Sequence, residues 1–338
     1  MIDDAGGRTS VVAIADAHDS EARASLGGVP LLTARHAGPR VLGYSPQIAG
    51  MVDRLDADIL HLHGIWTDLS RVAARWARRT GKPYVISPHG MLDPWIIARG
   101  RWKKALARWG YERASWARAS AFHALTEDEA ADIRREAGAR RIWIIPNAGP
   151  PAAASSFGRP AVVAYLGRIH PKKNLGALVE AWRKATLPEG AELKIAGWGD
   201  AADVSALQAD INGIPSIQFL GPLQGVAKQD LLEEAGFLVL PSHSEGLPMA
   251  VLEAWAAGAP TIMTAACHLP EGFATGAAIE CGTDVPSIAE ALVRALQEPD
   301  WSKRSQAALA LARGPFSPDT IRERWVEAYG SLAGDKCK

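Results

Sequence analysis

The residues that most directly indicate a functional site are two glutamates eight positions apart, Glu245 and Glu253. They flank the start of a helix that we expect over Pro248–Ala257, after an apolar strand at Phe237–Leu240. Amide groups at the start of a helix carry partial positive charge and bind phosphate. A carboxylate beside such a site is unfavourable unless hydroxyl groups donate hydrogen bonds to it. The pair therefore predicts a ligand with both phosphate and sugar hydroxyls, although a loop glutamate and a solvated helix glutamate would fit the same spacing.

A second candidate binding element is the basic turn that follows the apolar run Val162–Leu166. Arg168 and Lys173 stand five positions apart across a turn that contains Gly167 and Pro171, so both can point at one anion. The arginine offers a planar fork of donors and the lysine a compact charge, which suits a diphosphate. The ordinary alternative is two cations in a surface loop.

The elements that must position these residues alternate between short apolar strands and longer helical patterns. Such alternation predicts an α/β fold with parallel sheets covered by helices on both faces. The predicted strands are Val11–Ala15, Pro30–Thr33, Ile59–Leu62, Tyr84–Ser87, Ala121–Leu125, Ile142–Ile145, Val162–Leu166, Leu193–Ala196, Ile217–Phe219, Phe237–Leu240 and Thr261–Met263. Other predicted helices are Asp68–Arg79, Arg101–Ala117, Glu127–Ala137, Leu175–Ala185 and Asp319–Tyr329.

The domain organisation follows from length and from one stretch of linker composition. A chain of 338 residues is long enough for two domains. Asn147–Pro160 is rich in Pro, Gly, Ala and Ser and has no periodicity. We predict a first domain over 1–147, a linker over 148–160, a second domain over 161–314, and a C-terminal helical segment over 315–338 that returns to the first domain. Two doubly wound domains leave a cleft at the carboxyl ends of their strands, where ligands bind.

Composition excludes several classes of protein. The 37 basic and 37 acidic residues balance, which argues against binding to nucleic acid through bulk electrostatics. No uncharged apolar run approaches the roughly 18–20 residues that cross a bilayer, and the N-terminus has no basic-then-apolar leader. The three cysteines form no CxxC pair, which suits a reducing compartment. These features predict a cytoplasmic protein.

Two motifs in the second half together resemble those of retaining GT-B glycosyltransferases of family 4. They are GR-x4-K-N-L at Gly167–Leu175 and SEGLPMAVLEAWAAGAP at Ser244–Pro260. The resemblance implies two Rossmann-like, doubly wound parallel-sheet domains that face a cleft. It also implies that the second domain holds a nucleotide-diphospho-sugar, while Arg168 and Lys173 neutralise its diphosphate.

The same resemblance assigns the remaining donor contacts. Glu245 would contact the donor sugar and Glu253 the ribose hydroxyls, while the loops at 197–199 and 219–223 would line the nucleobase pocket. The donor-binding residues expected on this basis are Gly167, Gly197, Gly199, Leu223, Gly246, Leu247, Pro248, Met249 and Glu253.

In the first half, Tyr84–Trp95 resembles a strand-end His-Gly segment of this family, and Leu60–Trp66 resembles another strand end. His89 would then face the donor sugar and the acceptor. The expected acceptor-side residues are His63, Trp66 and Met91. His61 and His63 share a strand face, but no third ligand is evident, so we expect neither a metal nor a cofactor.

The implied reaction moves a hexose-type sugar from a nucleotide-diphospho-sugar to a saccharide or lipid-linked saccharide, with retention and without metal, in exopolysaccharide or lipopolysaccharide synthesis. The catalytic residues would be His89, Arg168, Lys173 and Glu245. Positive charge on the departing diphosphate should be the largest catalytic contribution.

Two alternatives compete with this hypothesis. Members of the family begin with a strand, a glycine-rich loop and a helix ahead of the strand at Val11–Ala15, and Asp3–Arg8 leaves no room for them. This predicts a shortened first domain and allows a catalytically impaired nucleotide-sugar-binding scaffold or sensor. The GxGxxA run at Gly197–Ala202 raises a remote alternative, an NAD-dependent oxidoreductase. The acidic residue expected about 20 positions on is absent after Ile217–Phe219.

Four tryptophans recur every seven residues at 95, 102, 109 and 116, in a segment with seven Lys/Arg and one Glu between Arg99 and Arg118. The stripe could face the core, with a solvated basic back, or lie on an anionic membrane. We favour the core-facing interpretation. The other would suit a lipid-linked acceptor and place the protein peripherally at the inner membrane face.

Overall fold

The computed structural model describes residues 6–16, 19–152 and 161–334 of the chain. It divides into two compact units. Unit 1 comprises Met1–Pro146 together with Arg322–Lys338, and unit 2 comprises Asn147–Ile321. Most of the predicted linker, residues 153–160, lies outside the described residues.

The strands of unit 1 lie where the apolar runs predict them, in two separate parallel sheets. One sheet has two strands, β1 and β2, and the other has four in the order β3-β4-β5-β6. Register places His63 of β3 opposite Ser87 of β4, so the carboxyl ends of neighbouring strands meet at one edge. The strands are β1 (Val11–Ile14), β2 (Leu31–Ala34), β3 (Leu60–His63), β4 (Tyr84–Ser87), β5 (Ala121–Ala124) and β6 (Ile142–Ile144).

The helices of unit 1 cover one shared core that includes residues of both sheets and of the helices between them. Helix starts follow ordinary capping rules: at the start of one helix, Thr126 accepts a hydrogen bond from the Glu129 amide. The helices are α1 (Asp19–Ser25), α2 (Ile48–Arg54), α3 (Asp68–Thr80), α4 (Pro94–Ala98), α5 (Arg101–Ala107), α6 (Arg113–Arg118) and α7 (Glu127–Ala137). The single helix predicted over Arg101–Ala117 is interrupted, because a π-helical turn at Arg108–Glu112 separates α5 from α6.

Unit 2 is built on one six-stranded sheet in which every pair is parallel, in the order β12-β11-β10-β7-β8-β9. The strands are β7 (Val162–Leu166), β8 (Glu192–Ala196), β9 (Ile217–Gly221), β10 (Phe237–Leu240), β11 (Thr261–Met263) and β12 (Ala278–Glu280). The strand β12 was not predicted. The chain winds outward from β7 in one direction and from β10 in the other. Such a switch point is where doubly wound sheets bind ligands.

The helices of unit 2 pack on a sheet whose central strands β7 and β10 are buried along their whole length, as strands covered on both faces must be. The helices are α8 (Leu175–Lys184), α9 (Ala201–Ile211), α10 (Gly225–Glu234), α11 (Met249–Ala256), α12 (Pro270–Thr275), α13 (Val285–Leu296) and α14 (Trp301–Arg313). A last helix, α15 (Pro318–Gly334), begins in unit 2 and belongs to unit 1 from Arg322 onward. Helix α8 contacts α13, and α11 contacts α14. Within the described residues, no helix is both long enough and apolar enough to cross a bilayer.

Candidate functional site

At the switch point of unit 2, the loops that follow β7 and β10 are joined by an ion pair. The Lys173 ammonium lies 2.5 and 2.7 Å from the two carboxylate oxygens of Glu245. Both side chains are largely buried, with exposed fractions of 21% for the lysine and 8% for the glutamate. Because β7 and β10 are neighbours in the sheet, residues 72 positions apart in the chain are brought together.

Further hydrogen bonds fasten these loops to each other. The His243 amide donates to the Lys172 carbonyl at 2.8 Å. The side-chain amide of Asn174, a residue with a φ of 60°, donates to the carbonyls of Pro241 and Thr283. The loops that carry Lys173 and Glu245 are therefore held together by hydrogen bonds besides the ion pair itself.

Arg168 lies in a different setting from Lys173. Its guanidinium is 3.3 Å from Asp200, just before α9, and half of the side chain is exposed. Each of the two predicted cations thus has a carboxylate partner of its own.

Glu253, the second glutamate of the spaced pair, also pairs with a lysine. The Lys228 ammonium on α10 lies 2.9 Å from Oε1 of Glu253 on α11. Nothing in the sequence marks Lys228, because one lysine in a helix such as α10 is ordinary. Both predicted glutamates are consequently charge-neutralised, each from a different element.

The residues of the predicted donor-binding loop differ in their exposure to solvent. Pro248 caps α11, which begins at Met249. Leu247 and Pro248 are buried, whereas Gly246 and Met249 are exposed. Gly246 and Met249 are therefore the members of this loop that a ligand could reach without rearrangement.

Two of the predicted donor-binding glycines are required by a close approach of two loops. A Cβ at Gly197 would lie 1.8 Å from the Gly167 carbonyl oxygen, and one at Gly199 would lie 2.3 Å from the Ile169 carbonyl oxygen. The Ile169 amide donates to the Trp198 carbonyl at 2.6 Å. This contact holds the loop after β8 against the loop that carries Arg168 and Lys173. Leu223, predicted with them, is partly buried after β9.

At the carboxyl edge of the four-stranded sheet in unit 1, His63 and His89 form a pair. His63 Nδ1 lies 2.9 Å from His89 Nε2, and the two rings stack with centroids 5.1 Å apart. One of these nitrogens must donate and the other accept, so the pair shares one proton. His89 is exposed and has a φ of 53°, a backbone conformation that is costly for a residue other than glycine.

Beneath this pair runs a hydrogen-bond chain whose direction is fixed by one carbonyl. A carbonyl can only accept, so His123 Nε2 donates to Ile145 (2.8 Å), and His123 Nδ1 accepts from the Ser87 hydroxyl (2.7 Å). Ser87 in turn accepts from His61 Nε2 (2.6 Å), whose Nδ1 accepts from the Tyr329 hydroxyl of α15 (2.6 Å). This direction requires that both imidazoles in the chain are neutral.

Burial reinforces this neutrality. Desolvation lowers the pKa of His61 to about 2 and that of His123 to about 4. Although His63 is exposed at the strand end, desolvation of its ring by the surrounding atoms, together with the neighbouring His89, lowers its pKa to about 4. The stacked rings of His61 and His63 have centroids 4.4 Å apart, so the buried chain supports the pair above it.

The other predicted acceptor-side residues lie in the same loops. The indole nitrogen of Trp66 donates to the Met91 carbonyl at 3.3 Å, and Trp66 has a φ of 70°. The Trp66 amide donates to the Glu112 carboxylate at 2.5 Å, and the Ser70 hydroxyl donates to the same oxygen at 2.9 Å. Glu112 is fully buried on the π-helical turn. It was not predicted, since nothing in the sequence marks a π-helical turn.

Glu129 holds the loop of His89 in a similar way. One carboxylate oxygen accepts from the Gly90 amide at 2.7 Å and the other from the Leu125 amide at 2.8 Å. At the start of α7, the Thr126 hydroxyl accepts from the Glu129 amide, which is one half of a capping box, while the Glu129 carboxylate accepts from Leu125 and Gly90. The Thr-x-x-Glu spacing was a signal that could have identified Glu129.

The tryptophan stripe does not face the core as we favoured. Trp116 is 5% exposed, but Trp102 is 66% and Trp109 is 83% exposed. The side chain of Trp95 lies outside the described part of the structure. The core-facing interpretation is therefore wrong for two of the four tryptophans. Among the described residues, no group of three or more His, Cys, Asp or Glu is arranged to hold a metal ion.

Two family models match the chain, one on each half. A model described as "Glycosyl transferase 4-like domain" matches residues 2–148, and one described as "Glycosyl transferases group 1" matches residues 160–298. The chain belongs to the glycosyl transferase group 1 family. This membership disfavours the oxidoreductase alternative, and the GxGxxA run in fact follows β8 rather than the central strand β7.

Relatives of this glycosyl transferase chain include proteins of known name. It is 32% identical to a D-inositol 3-phosphate glycosyltransferase of Mycobacterium avium over 190 residues, which is 53% of this chain and 44% of the relative. It is 28% identical to an exopolysaccharide phosphotransferase of Streptomyces coelicolor over 205 residues, which is 57% of this chain and 21% of the relative. The matched region spans less than half the length of each of these two relatives.

Among solved structures, the glycosyl transferase chain is similar to Anabaena HepE in complex with UDP and glucose. The TM-score is 0.74 at 17% identity, and the match covers 95% of this chain and 91% of HepE. A likeness at this identity establishes the fold. The predicted GT-B fold, with parallel-sheet α/β units, is confirmed.

Proposed function

We propose that this protein transfers a hexose-type sugar from a nucleotide-diphospho-sugar to a saccharide or lipid-linked saccharide. The transfer proceeds with retention and without metal, in exopolysaccharide or lipopolysaccharide synthesis. The observation that carries the proposal is the Lys173–Glu245 pair at the switch point of unit 2.

The pair suits a ligand with a diphosphate next to a sugar. The Lys173 ammonium is neutralised by Glu245. A bound diphosphate would compete for the ammonium and free the carboxylate oxygens to accept hydrogen bonds from sugar hydroxyls. As the anomeric bond breaks, negative charge grows on the diphosphate, and a preorganised cation stabilises that charge.

The comparisons support the donor and the pathway. HepE, similar in fold, has been solved with UDP and glucose. One relative is named an exopolysaccharide phosphotransferase and another a D-inositol 3-phosphate glycosyltransferase. We assign the nucleotide to the residues around Lys173 and Glu253.

We assign the acceptor to the carboxyl edge of the unit 1 sheet, where His63, Trp66, His89 and Met91 lie. His89 is exposed at this edge and hydrogen-bonds His63, which stacks on the partly buried His61 ring. Such support fixes the imidazole of His89 for contact with sugar hydroxyls.

Thermal denaturation with UDP, GDP and ADP tests the proposal. A ligand at 100 times its Kd stabilises the folded state by about 2.7 kcal/mol, which is a rise in Tm of a few degrees. We expect one nucleoside diphosphate to raise Tm selectively, and the matching nucleotide sugar to be consumed when acceptor is supplied. No rise with any of the three would contradict the proposal. Binding without turnover of the sugar would instead favour the impaired scaffold.

We also propose that the segment Arg99–Arg118 contacts an anionic membrane surface, where a lipid-linked acceptor would lie. Trp102, Leu106 and Trp109 are all more than 60% exposed, and their spacing places them on one side of a helix. The segment carries seven Lys/Arg, and its one acidic side chain, Glu112, is buried. Exposed aromatic rings within a basic helix bind the interface of anionic bilayers.

Vesicle co-sedimentation separates this membrane proposal from the transfer activity. We expect binding to vesicles with 30% anionic lipid and not to neutral vesicles. The double variant Trp102→Ala/Trp109→Ala should lose binding to the anionic vesicles. Trp198→Ala is a matched control, because Trp198 is 61% exposed but lies in unit 2. Equal binding of both variants, or no dependence on anionic lipid, would contradict the membrane contact.

A further inference from the structure

The part of α15 that belongs to unit 1 brings two aromatic rings against two histidines of the four-stranded sheet. Trp325 and Tyr329 are four positions apart, about one helical turn, and their rings stack with centroids 5.2 Å apart. The centroid of the Trp325 ring lies 4.6 Å from that of His123 and 5.3 Å from that of His61. The Tyr329 hydroxyl donates to His61 Nδ1 at 2.6 Å. The helix therefore contacts both imidazoles of the hydrogen-bond chain.

Apolar packing holds the same segment of α15 on the sheet. Leu332 is 4% exposed and packs with Val85 and Ala121, and the rings of Tyr329 and Trp143 pack against this cluster. Burial raises the pKa of the Tyr329 phenol above its usual value, so the hydroxyl keeps its proton and can donate it to a hydrogen bond.

The other members of the chain leave Tyr329 a single role. The one proton of the Ser87 hydroxyl is donated to His123, so this hydroxyl must accept from His61 Nε2. A neutral imidazole with its proton on Nε2 has only a lone pair on Nδ1, and Tyr329 is the donor to that lone pair. The His61 ring is therefore held from both of its nitrogens, by the sheet on one side and by α15 on the other.

Ring stacking connects His61 to the exposed edge of the sheet. The His61 and His63 rings are stacked, with centroids 4.4 Å apart and an interplanar angle of 23°. The His63 and His89 rings are also stacked, at 5.1 Å and 11°, and Nδ1 of His63 lies 2.9 Å from Nε2 of His89. Three nearly parallel rings thus lead from the Tyr329 hydroxyl to His89. A rotation of the first ring would remove the surface on which the second lies.

We propose that Tyr329 is a positioning residue for the acceptor-side histidines. Its hydrogen bond fixes the His61 ring, and the stack carries that orientation to His63 and His89. This inference rests on the proposed function, in which His89 contacts sugar hydroxyls. Helix α15 is then part of the acceptor site as well as a cover of the sheet.

The variant Tyr329→Phe tests the inference, because it removes the hydroxyl and keeps the ring. Tyr84→Phe is the matched control, since the Tyr84 hydroxyl also donates a hydrogen bond within unit 1, to the Ser115 carbonyl, but takes no part in the histidine chain. Each variant loses one hydrogen bond of a phenol, and melting curves report the effect of that loss on folding.

Nitrogen NMR spectra of protein labelled at its histidines report the ring positions without any substrate. We expect the ring-nitrogen signals of His61, His63 and His89 to shift in Tyr329→Phe and to keep their wild-type positions in Tyr84→Phe. Unchanged signals of His63 and His89 in Tyr329→Phe would overturn the inference and leave the proposed function standing.

Transfer assays give the second readout, with the nucleotide sugar that the thermal screen selects and with acceptor supplied. In Tyr329→Phe, kcat should fall roughly 10- to 100-fold, since misplacement by about 1 Å can cost up to 100-fold in rate. The Kd for the nucleoside diphosphate should stay unchanged, because Tyr329 lies in unit 1. Tyr84→Phe should keep both values.

An equal loss of kcat in the two variants would overturn the positioning role, because any loss of a phenol hydrogen bond would then have the same effect. A wild type that transfers no sugar would overturn the proposed function instead. The labelled spectra would still decide whether Tyr329 sets the orientation of His63 and His89.

Discussion

Lys173 and Glu245 meet at 2.5 and 2.7 Å although 72 positions separate them, and each follows one of the two central strands of the unit 2 sheet. The pair holds a positive charge at the switch point without leaving it unpaired in a largely buried place. Removing either partner would leave the other buried and uncompensated.

Substitution of Lys173 by methionine should abolish most turnover. The side chain keeps its length but loses the charge that, in the proposed function, stabilises the departing diphosphate, and contacts of this kind contribute roughly 100- to 1000-fold in kcat. The measurement is steady-state transfer with the nucleotide sugar that the thermal screen selects, alongside a melting curve. Lys184→Met, which changes an exposed lysine on α8 that pairs with Glu180, should keep wild-type kcat. If the Lys173→Met protein folds and turns over at the wild-type rate, the Lys173–Glu245 pair has no catalytic role.

The close approach of the loops after β7 and β8 gives a prediction about stability. Gly197→Ala and Gly199→Ala would each place a Cβ within 2.3 Å of a carbonyl oxygen, so the loops must separate. We expect the free energy of unfolding to fall by about 2–4 kcal/mol for each, since both atoms are backbone and cannot rotate away.

Gly176→Ala is the control, because a Cβ there meets nothing within 4 Å and Gly176 lies in α8. It should be neutral or stabilise by up to about 1 kcal/mol. Urea denaturation compares the three variants. Equal stability of all three would show that the loops separate at little cost.

The fold was predictable from the sequence because strands and helices carry local periodic signals. Apolar runs such as Phe237–Leu240 and Val162–Leu166 are buried strands at their predicted bounds. Strand ends in a parallel sheet share one edge, so the loops that carry Lys173 and Glu245 were predictable as well. That their side chains pair with each other, and Glu253 with Lys228, depends on rotamers and distances that the sequence does not encode locally.

The tryptophan segment shows a second feature that could not be predicted from the sequence. A seven-residue repeat looks the same whether the stripe faces the core or the solvent. The π-helical turn at Arg108–Glu112 inserts an extra residue, which rotates the following helix by about 100°. Trp116 is consequently buried while Trp102 and Trp109 are exposed. No residue type marks that turn, so neither the rotation nor the burial of Glu112 could be predicted.

Glu129→Gln should lower kcat without weakening donor binding. Glu129 accepts from the Gly90 amide and the Leu125 amide, and glutamine would place an NH₂ group against one of them. The loop of His89 would shift, and misplacement by about 1 Å can cost up to 100-fold in rate. We expect kcat to fall roughly 10- to 100-fold while the Kd for the nucleoside diphosphate stays unchanged, because Glu129 lies in unit 1.

The control for this positioning role is Glu127→Gln, an exposed residue of the same helical turn. It should leave both kcat and Kd at wild-type values. If Glu129→Gln changes Kd and kcat in the same proportion, the residue supports the fold as a whole rather than the position of His89.

Glu112 should make the stability of unit 1 depend on pH. Burial raises its pKa from 4.5 to about 7, and the hydrogen bonds from Ser70 and the Trp66 amide only partly oppose this. A carboxyl whose pKa is raised on folding favours the folded state most below pH 4.5, and this contribution is lost as pH rises through about 7. The expected loss between pH 5 and pH 8.5 is about 2–3 kcal/mol. The titratable neighbours Tyr84 and Tyr111 have pKa values raised to about 12, so they stay neutral over this range.

Comparison with Glu112→Gln isolates this contribution, because glutamine keeps an oxygen for Ser70 and Trp66 but does not titrate. The difference in unfolding free energy between wild type and variant should shift by about 2–3 kcal/mol from pH 5 to pH 8.5, in favour of the variant at the higher pH. Denaturation followed by tryptophan fluorescence at the two pH values measures it. Parallel pH profiles for the two proteins would mean that Glu112 does not titrate in this range. The carboxylate on the π-helical turn would then hold the Trp66 loop equally well on both sides of neutrality.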